Sequence, residues 1–197
     1  MPPGMPQGNP TRGDRAGVDR MSEQMAYVGL GSNVGDRLDN LRTAAQMLSR
    51  GGRRVTVASS VYDTEPVGNA DQDWFLNAVV GAEVALGVHE FHALLKRIEV
   101  QMGRKSRHRW GPREIDLDLL LFGDEIVNEA RLVMPHARMH ERGFVMQPIA
   151  EIASETTHPV IGRSMGRILA TLDDPAEVRR VHPPSAVFAA SQEEREA

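Results

Sequence analysis

The 197-residue chain contains no cysteine, which rules out disulfide staples and thiolate metal sites. Aromatic residues are scarce: two Trp, two Tyr and five Phe make up 5%, so an aromatic set among charges stands out. No apolar run reaches the roughly 20 residues that a membrane-spanning helix needs. The N-terminus also lacks an apolar signal core. A cytoplasmic chain with no membrane partner is therefore expected. Neither sign of charge dominates, since 23 Lys and Arg stand against 27 Asp and Glu for a net charge of −4. That balance argues against a globally basic nucleic-acid binder. With 41% hydrophobic residues, it describes an ordinary soluble globular protein.

Residues 1–24 are rich in Pro, Gly and charge and read as a disordered tail. From Asp174 to the end, sustained periodicity is again missing and a mobile tail is expected. The folded body is then 25–173. Within it, Ala26–Gly31 reads as a buried strand. A helix capped by Asp36 runs through Ser49 with Leu38, Leu41, Ala45 and Leu48 on one face. Arg54–Tyr62 alternates as one strand and Phe75–Val84 as the next. Val88, Phe91, Leu95, Ile98 and Met102 follow helical spacing. Ile115–Phe122 is a strand that turns at Gly123-Asp124 toward Glu125–Asn128, and Ser164–Leu172 adds a late helix. The order is β-α-β-β-α-β, an α+β, ferredoxin-like core. No internal repeat is evident.

What is present concentrates between Gly103 and Asp118, GRKSRHRWGPREIDLD. Five cations (Arg104, Lys105, Arg107, Arg109, Arg113) run into Asp116 and Asp118. Arginine forks suit polyphosphate oxygens. Residues i and i+2 of a strand share a face, so both carboxylates point one way while Ile115, Leu117 and Leu119 enter the core. Two like charges side by side call for a cation between them. Paired carboxylates suit Mg²⁺, which completes its shell with water and phosphate. The bland alternative is a solvated strand edge. The basic run is open to a second reading as a nucleic-acid patch in which Trp110 stacks a base. A nucleotide base or another flat heterocycle fits that ring equally well.

Other segments are weaker on their own. GLGSNVGDR misses the GxGxxG spacing, with glycines at 29, 31 and 35, and reads better as a tight strand-to-helix turn. Thr64–Gly68 and Trp74–Asn77 form either a plain connection or the wall of a pocket for a flat polar ring, with Phe75 stacking and Asn77 hydrogen-bonding. Pro135-His136 and Arg142-Gly143-Phe144 suggest a second phosphate clamp. His89, His92, His108 and His140 show no metal-ligand spacing.

In order, GLGSNVGD, YDTEPVG, FLNA, RWGPR-x-IDLD and PH…RGF resemble the 6-hydroxymethyl-7,8-dihydropterin pyrophosphokinase family over residues 25–153. The resemblance implies a three-layer α-β-α elaboration of the ferredoxin-like core. It also implies two Mg²⁺ on Asp116 and Asp118, with ATP as co-substrate. Arg104, Arg113, Asp116 and Asp118 become the catalytic groups. Glu99, Arg104, Trp110, Arg113, Ile115, His136 and Arg142 become ATP contacts. Thr64, Val67, Phe75, Asn77, Trp110 and Phe144 line the pterin pocket. Ser106, where many relatives carry arginine, and Ala137, where some carry tyrosine, depart from the pattern.

By the same resemblance, the reaction is pyrophosphoryl transfer from ATP to the pterin hydroxymethyl group, releasing AMP. Segments Asn69–Asp73 and Gly103–Arg109 would serve as lids. The partners are two small molecules, with no nucleic acid, and the chain is expected to act as a monomer. Two rivals remain. A single-phosphoryl kinase would release ADP, and an RNA-binding module would expose aromatics on one open sheet face.

Overall fold

The computed structural model describes residues 23–51, 53–66, 72–104 and 111–188. The predicted order is present, with its second strand divided. β1 (Gln24–Ser32) leads to α1 (Arg37–Leu48), then β2 (Arg54–Ala58), β3 (Val61–Thr64), β4 (Phe75–Val84), α2 (Val88–Gln101) and β5 (Asp116–Phe122). A hairpin of β6 (Val127–Glu129) and β7 (Leu132–Met134) precedes α3 (Gly143–Ala153), α4 (Met165–Leu169) and β8 (Val178–His182). The strands lie in the order β5-β1-β4-β3-β8, with β2 also on β4, and every pairing is antiparallel.

Side-chain alternation splits this sheet into two chemically distinct faces. Ala26, Val28 and Leu30 of β1, Leu76 to Val84 at every second position of β4, and Leu117 and Leu119 of β5 pack in one core. Leu41, Ala44, Ala45 and Leu48 of α1, with Phe91, Leu95 and Ile98 of α2, close it. On the other face Val79, Leu120 and Leu121 meet Met146, Ile149 and Ala153 of α3 and Met165 and Ile168 of α4. A shift in the β1–β5 register between Tyr27 and Val28 lets the adjacent Leu120 and Leu121 join the same cluster. Helices on both faces make three layers. No broad open platform of the kind an RNA-binding sheet presents is left among the described strands.

Asp36 caps α1 as expected, its carboxylate accepting from the Asp39 amide at 3.0 Å. The single strand expected over Arg54–Tyr62 instead breaks at Ser59-Ser60. Ser59 bonds Val79 through both its amide and hydroxyl, while the Ser60 amide and hydroxyl donate to Glu151 at 2.9 and 2.7 Å. Those sideways bonds kink the chain, and the ten-residue β4 pairs with both fragments.

Two expectations are revised. The mobile tail from 174 does not hold for 174–188: β8 adds to β3, and Val187 packs into the first core. Its signal is weak because an edge strand with one neighbour, reading VRRVH, needs little apolar alternation. Helix α3 carries an apolar stripe that Pro148 disguises, since proline removes one ladder donor. The late helix is shorter than expected, with Ser164 as its cap. The expected N-terminal tail and the last nine residues lie outside the described residues.

Candidate active site

Three strands lay the floor of one cavity. Across them, Asn77 of β4 faces Gly31 of β1, which faces Asp116 of β5; one step along, Val79, Gly29 and Asp118 form a second row. The i, i+2 spacing thus puts both carboxylates on the α3 side of the sheet, where the cavity opens beside the first turn of α3. Its lining joins Thr64, Phe75, Asn77, Arg113, Asp116, Asp118, Arg142 and Phe144. Gly29 and Gly31 therefore sit inside β1 as floor, not in a turn; the turn belongs to Gly35, with φ +69°. A Cβ on Gly31 would lie 2.9 Å from Asn77 Oδ1, so that position has no room for a side chain.

One end of the cavity is ionic. Arg113 bonds Asp116 directly, and Arg104 donates to the other Asp116 oxygen at 2.8 Å. Burial alone would raise the Asp116 carboxyl, but Arg113, Arg104 and more distant Lys96 override it and hold it below the usual carboxylate range. Behind Arg104 stands Glu99, 3% exposed. It also accepts from Lys96 at 2.9 Å and from the Leu117 amide at 2.8 Å. Lys96 in turn donates to the Leu117 carbonyl at 2.9 Å. Burial pushes the Glu99 carboxyl up, against the pull of these donors. Asp118 differs, because among the described residues no donor bonds it and no cation lies within salt-bridge distance.

The other end is neutral and aromatic. Asn77 donates to the Thr64 hydroxyl at 2.7 Å, which fixes the amide orientation. Phe75 and Phe144 line the same cavity, and the Arg142 guanidinium lies 5.6 Å from the Phe144 ring centroid. Arg142 lines the cavity, and its Nε is buried with no hydrogen-bond partner among the described residues. His136 anchors through its amide to the Leu120 carbonyl at 3.0 Å. Burial lowers its imidazole pKa against the pull of Asp118, leaving it neutral at pH 7.

The structure brings together most of the sequence-predicted set. Arg104 reaches the cavity only through Asp116, His136 is not among its lining residues, and two further members sit differently. Glu99 is buried behind Arg104 and braces that guanidinium instead of lining the cavity. The Ile115 side chain is fully buried in the first core, so any ligand contact there would use its backbone. Val67, Trp110, Lys105, Arg107 and Arg109 lie outside the described residues, as do most of both expected lids.

Sequence reasoning assigned no role to Lys96, or to Asn33. Asn33 is 4% exposed. Its side chain accepts from the Arg113 amide at 2.7 Å and donates to the Asp73 carbonyl at 3.3 Å. It thereby ties together the two chain segments that flank the cavity mouth. The available signal was a polar pair, Ser32-Asn33, ending an otherwise buried strand.

For a metal, the donor set decides the fit. No cluster of three or more His, Cys, Asp or Glu residues suited to a metal ion occurs among the described residues. Mg²⁺ needs only one or two protein carboxylates when phosphates and water complete its shell. Asp116 and Asp118, oxygen donors on one face of one strand, fit that requirement.

The family model for 7,8-dihydro-6-hydroxymethylpterin-pyrophosphokinase (HPPK) matches residues 27–154, which contain this whole floor and both of its ends. The chain belongs to the HPPK family. A pyrophosphokinase from Methylorubrum extorquens is 43% identical over 157 residues, 79% of this chain and 98% of that protein. One from Bacillus subtilis is 46% identical over 132 residues, 66% of this chain and 79% of that protein. The chain spans only 24% of an Arabidopsis thaliana mitochondrial folate synthesis bifunctional protein, at 44% identity over 131 residues. A Plasmodium falciparum HPPK-DHPS crystal structure shares the fold with a TM-score of 0.63 at 14% identity, over 78% of this chain and 46% of that one. Membership in the HPPK family therefore rests on sequence, while the solved structure shows a shared fold.

Proposed function

We propose that the chain transfers pyrophosphate from ATP to the hydroxymethyl group of 6-hydroxymethyl-7,8-dihydropterin, giving the pterin diphosphate and AMP in folate synthesis. One observation carries this reading: a single cavity joins an aromatic and amide end to a carboxylate and arginine end. A pterin is a flat ring with a polar edge. Phe75 and Phe144 supply ring faces, and the Asn77 amide, oriented by Thr64, meets the edge. The substrate hydroxyl then points toward Asp116 and Asp118, where the polyphosphate would lie.

The hydroxyl oxygen attacks the β-phosphorus, its proton passes to solvent, and the bond to the α-phosphate oxygen breaks, so AMP leaves. Asp116 and Asp118 would hold Mg²⁺, whose contribution when bound is to screen the phosphate oxygens and spread their charge. Arg113 and Arg104, now on Asp116, are placed to neutralise charge on the transferred group, and Glu99 keeps Arg104 in position. Arg142, lining the cavity from the α3 side, adds a further cation for the phosphates. Trp110 and Val67 complete the pterin wall in this reading, with Asn69–Asp73 and Gly103–Arg109 as the expected lids.

One chain supplies every one of these groups, so the reading needs no second copy. No helix among the described residues is long and apolar enough to cross a membrane, and the reading keeps the cytoplasm as its compartment. Incubation with ATP, Mg²⁺ and hydroxymethyl-dihydropterin should yield AMP and pterin diphosphate in equal amounts. ADP as the main nucleotide product would instead establish single-phosphoryl transfer.

A further inference from the structure

The segment from Asp174 into β8 lies outside the family-matched residues 27–154, yet it bonds the neighbours of two cavity-lining residues, Gly143 beside Phe144 and Glu65 beside Thr64. Helix α3 starts at Gly143 and has no side-chain cap of its own, because Arg142 occupies the cap position without such a bond. The missing acceptor comes from 31 residues away: Asp174 Oδ2 accepts the Gly143 amide proton at 2.7 Å. A carboxylate at a helix N-terminus is favoured by the free amides and by the helix dipole. The fit is close, since a Cβ on Gly143 would lie 3.3 Å from that oxygen and 3.5 Å from Val178. The two residues flanking the capped amide are Arg142 and Phe144, both in the cavity wall.

Three residues on, the same segment grips the opposite wall. The Glu65 amide donates to the Glu177 carbonyl at 3.2 Å, and the Glu177 amide donates to the Glu65 carboxylate at 3.1 Å. Thr64, which orients Asn77, sits opposite Val178 in the ladder. Arg179, paired with Glu177, places its guanidinium 4.8 Å from the ring centroid of Trp74, the neighbour of Phe75.

We infer that residues 174–179 form a brace that sets the spacing of the Phe75 and Phe144 walls, with Asp174 as its positioning residue for the heterocyclic substrate. The inference rests on the pterin reading of the cavity. Asp174 touches no lining atom itself; it acts through the first turn of α3. The carboxylates, Arg104 and Arg113 are held by α2, β5 and the segment before it, so Arg142 is the one proposed anion-binding group that shares the braced turn. The brace should therefore govern the ring-binding end more than the nucleotide end.

The test measures binding of hydroxymethyl-dihydropterin and, separately, of a non-hydrolysable ATP analogue to the full chain. Asp174→Ala should weaken pterin binding about fivefold, the size expected of one lost helix cap. Nucleotide binding, which shares only Arg142 with the braced turn, should weaken less than pterin binding, and kcat at saturation should stay within about twofold. Asp174→Asn retains an acceptor oxygen and should recover most of the loss. Arg179→Ala, a surface change that leaves the cap intact, should show a smaller loss of the same selectivity. Amide hydrogen exchange at Gly143 and Phe144 should accelerate in Asp174→Ala only. Unchanged exchange there, or equal weakening of pterin and nucleotide, overturns the brace. A wild-type chain that fails to bind the pterin while Asp174→Ala still accelerates exchange overturns the functional reading instead.

Discussion

The two ends of the cavity are built by different rules. Its ionic end is compact in sequence: Arg104, Arg113, Asp116 and Asp118 fall within fifteen positions, backed by one turn of α2. The neutral end draws Thr64, Phe75, Asn77 and Phe144 from three separated segments and adds a cap from a fourth. A charge site can be local because strand periodicity alone aligns its carboxylates. A ring site is a gap between elements, and only the tertiary fold defines it. The ionic end should therefore fail through chemistry and the neutral end through geometry.

The sharpest break separates the two aspartates. Asp116 is saturated by two arginines, whereas Asp118 has no described donor and is the freer oxygen source for a cation. Asp118→Ala should reduce turnover on the order of a thousandfold or more, the scale of losing charge stabilisation in a transition state. Its melting temperature should stay close to wild type. Asp116→Ala should lose comparable activity and also stability, because Arg104 and Arg113 are left partly buried without their shared partner. Retained Mg²⁺-dependent turnover in Asp118→Ala would end the metal role. The Asp116 contribution also has a definite sign with pH. A carboxyl held below its unfolded value stabilises the fold at neutral pH, and this stability is lost as pH falls through the depressed value.

Gly31→Ala tests the boundary between the ends, since Gly31 lies between Asn77 and Asp116 in the sheet. A methyl 2.9 Å from Asn77 Oδ1 must push that amide, while the nearest Asp116 atom, its Cβ, is 4.0 Å away. Pterin affinity should fall about tenfold, in keeping with a displaced buried hydrogen-bonding group. Nucleotide affinity should change little. Equal losses for both ligands would show that the two ends are not separable.

Legibility followed the same division. The i, i+2 carboxylates, the helix capped by Asp36 and the β-α-β-β-α-β order could all be read locally, because capping and periodicity act within a few residues. The break at Ser59-Ser60 could not, since it depends on Glu151, about ninety positions away. Nor could the glycine floor: a GLG run looks the same in a turn and in a strand flanked by Asn77 and Asp116. Helix α3 was masked by Pro148, and β8 by the weak pattern of an edge strand. Glu99 was legible as a charged helix position, but its job of holding Arg104 needed three dimensions.

The smallest expected effect lies beneath the neutral end. Tyr62 is the ladder partner of Asn77, and its hydroxyl donates to Glu151 at 2.9 Å. Burial, together with that hydrogen bond and the Glu151 charge, pushes the phenol up to about 12 against the opposing pull of Arg180. A raised folded value means that the contribution is fully present below the ordinary value of 10.0 and is lost as pH rises through about 12. Tyr62→Phe removes one hydrogen bond, while both Ser60 bonds to Glu151 remain, so stability at pH 7 should fall by only about 1 kcal/mol. The difference in melting temperature between wild type and Tyr62→Phe should then shrink from pH 10 upward, with pterin affinity at pH 7 nearly unchanged. A gap that persists across that range would show that burial and Glu151 do not hold the phenol neutral. A large loss of pterin affinity would show that the floor is tuned from below as well as from the brace.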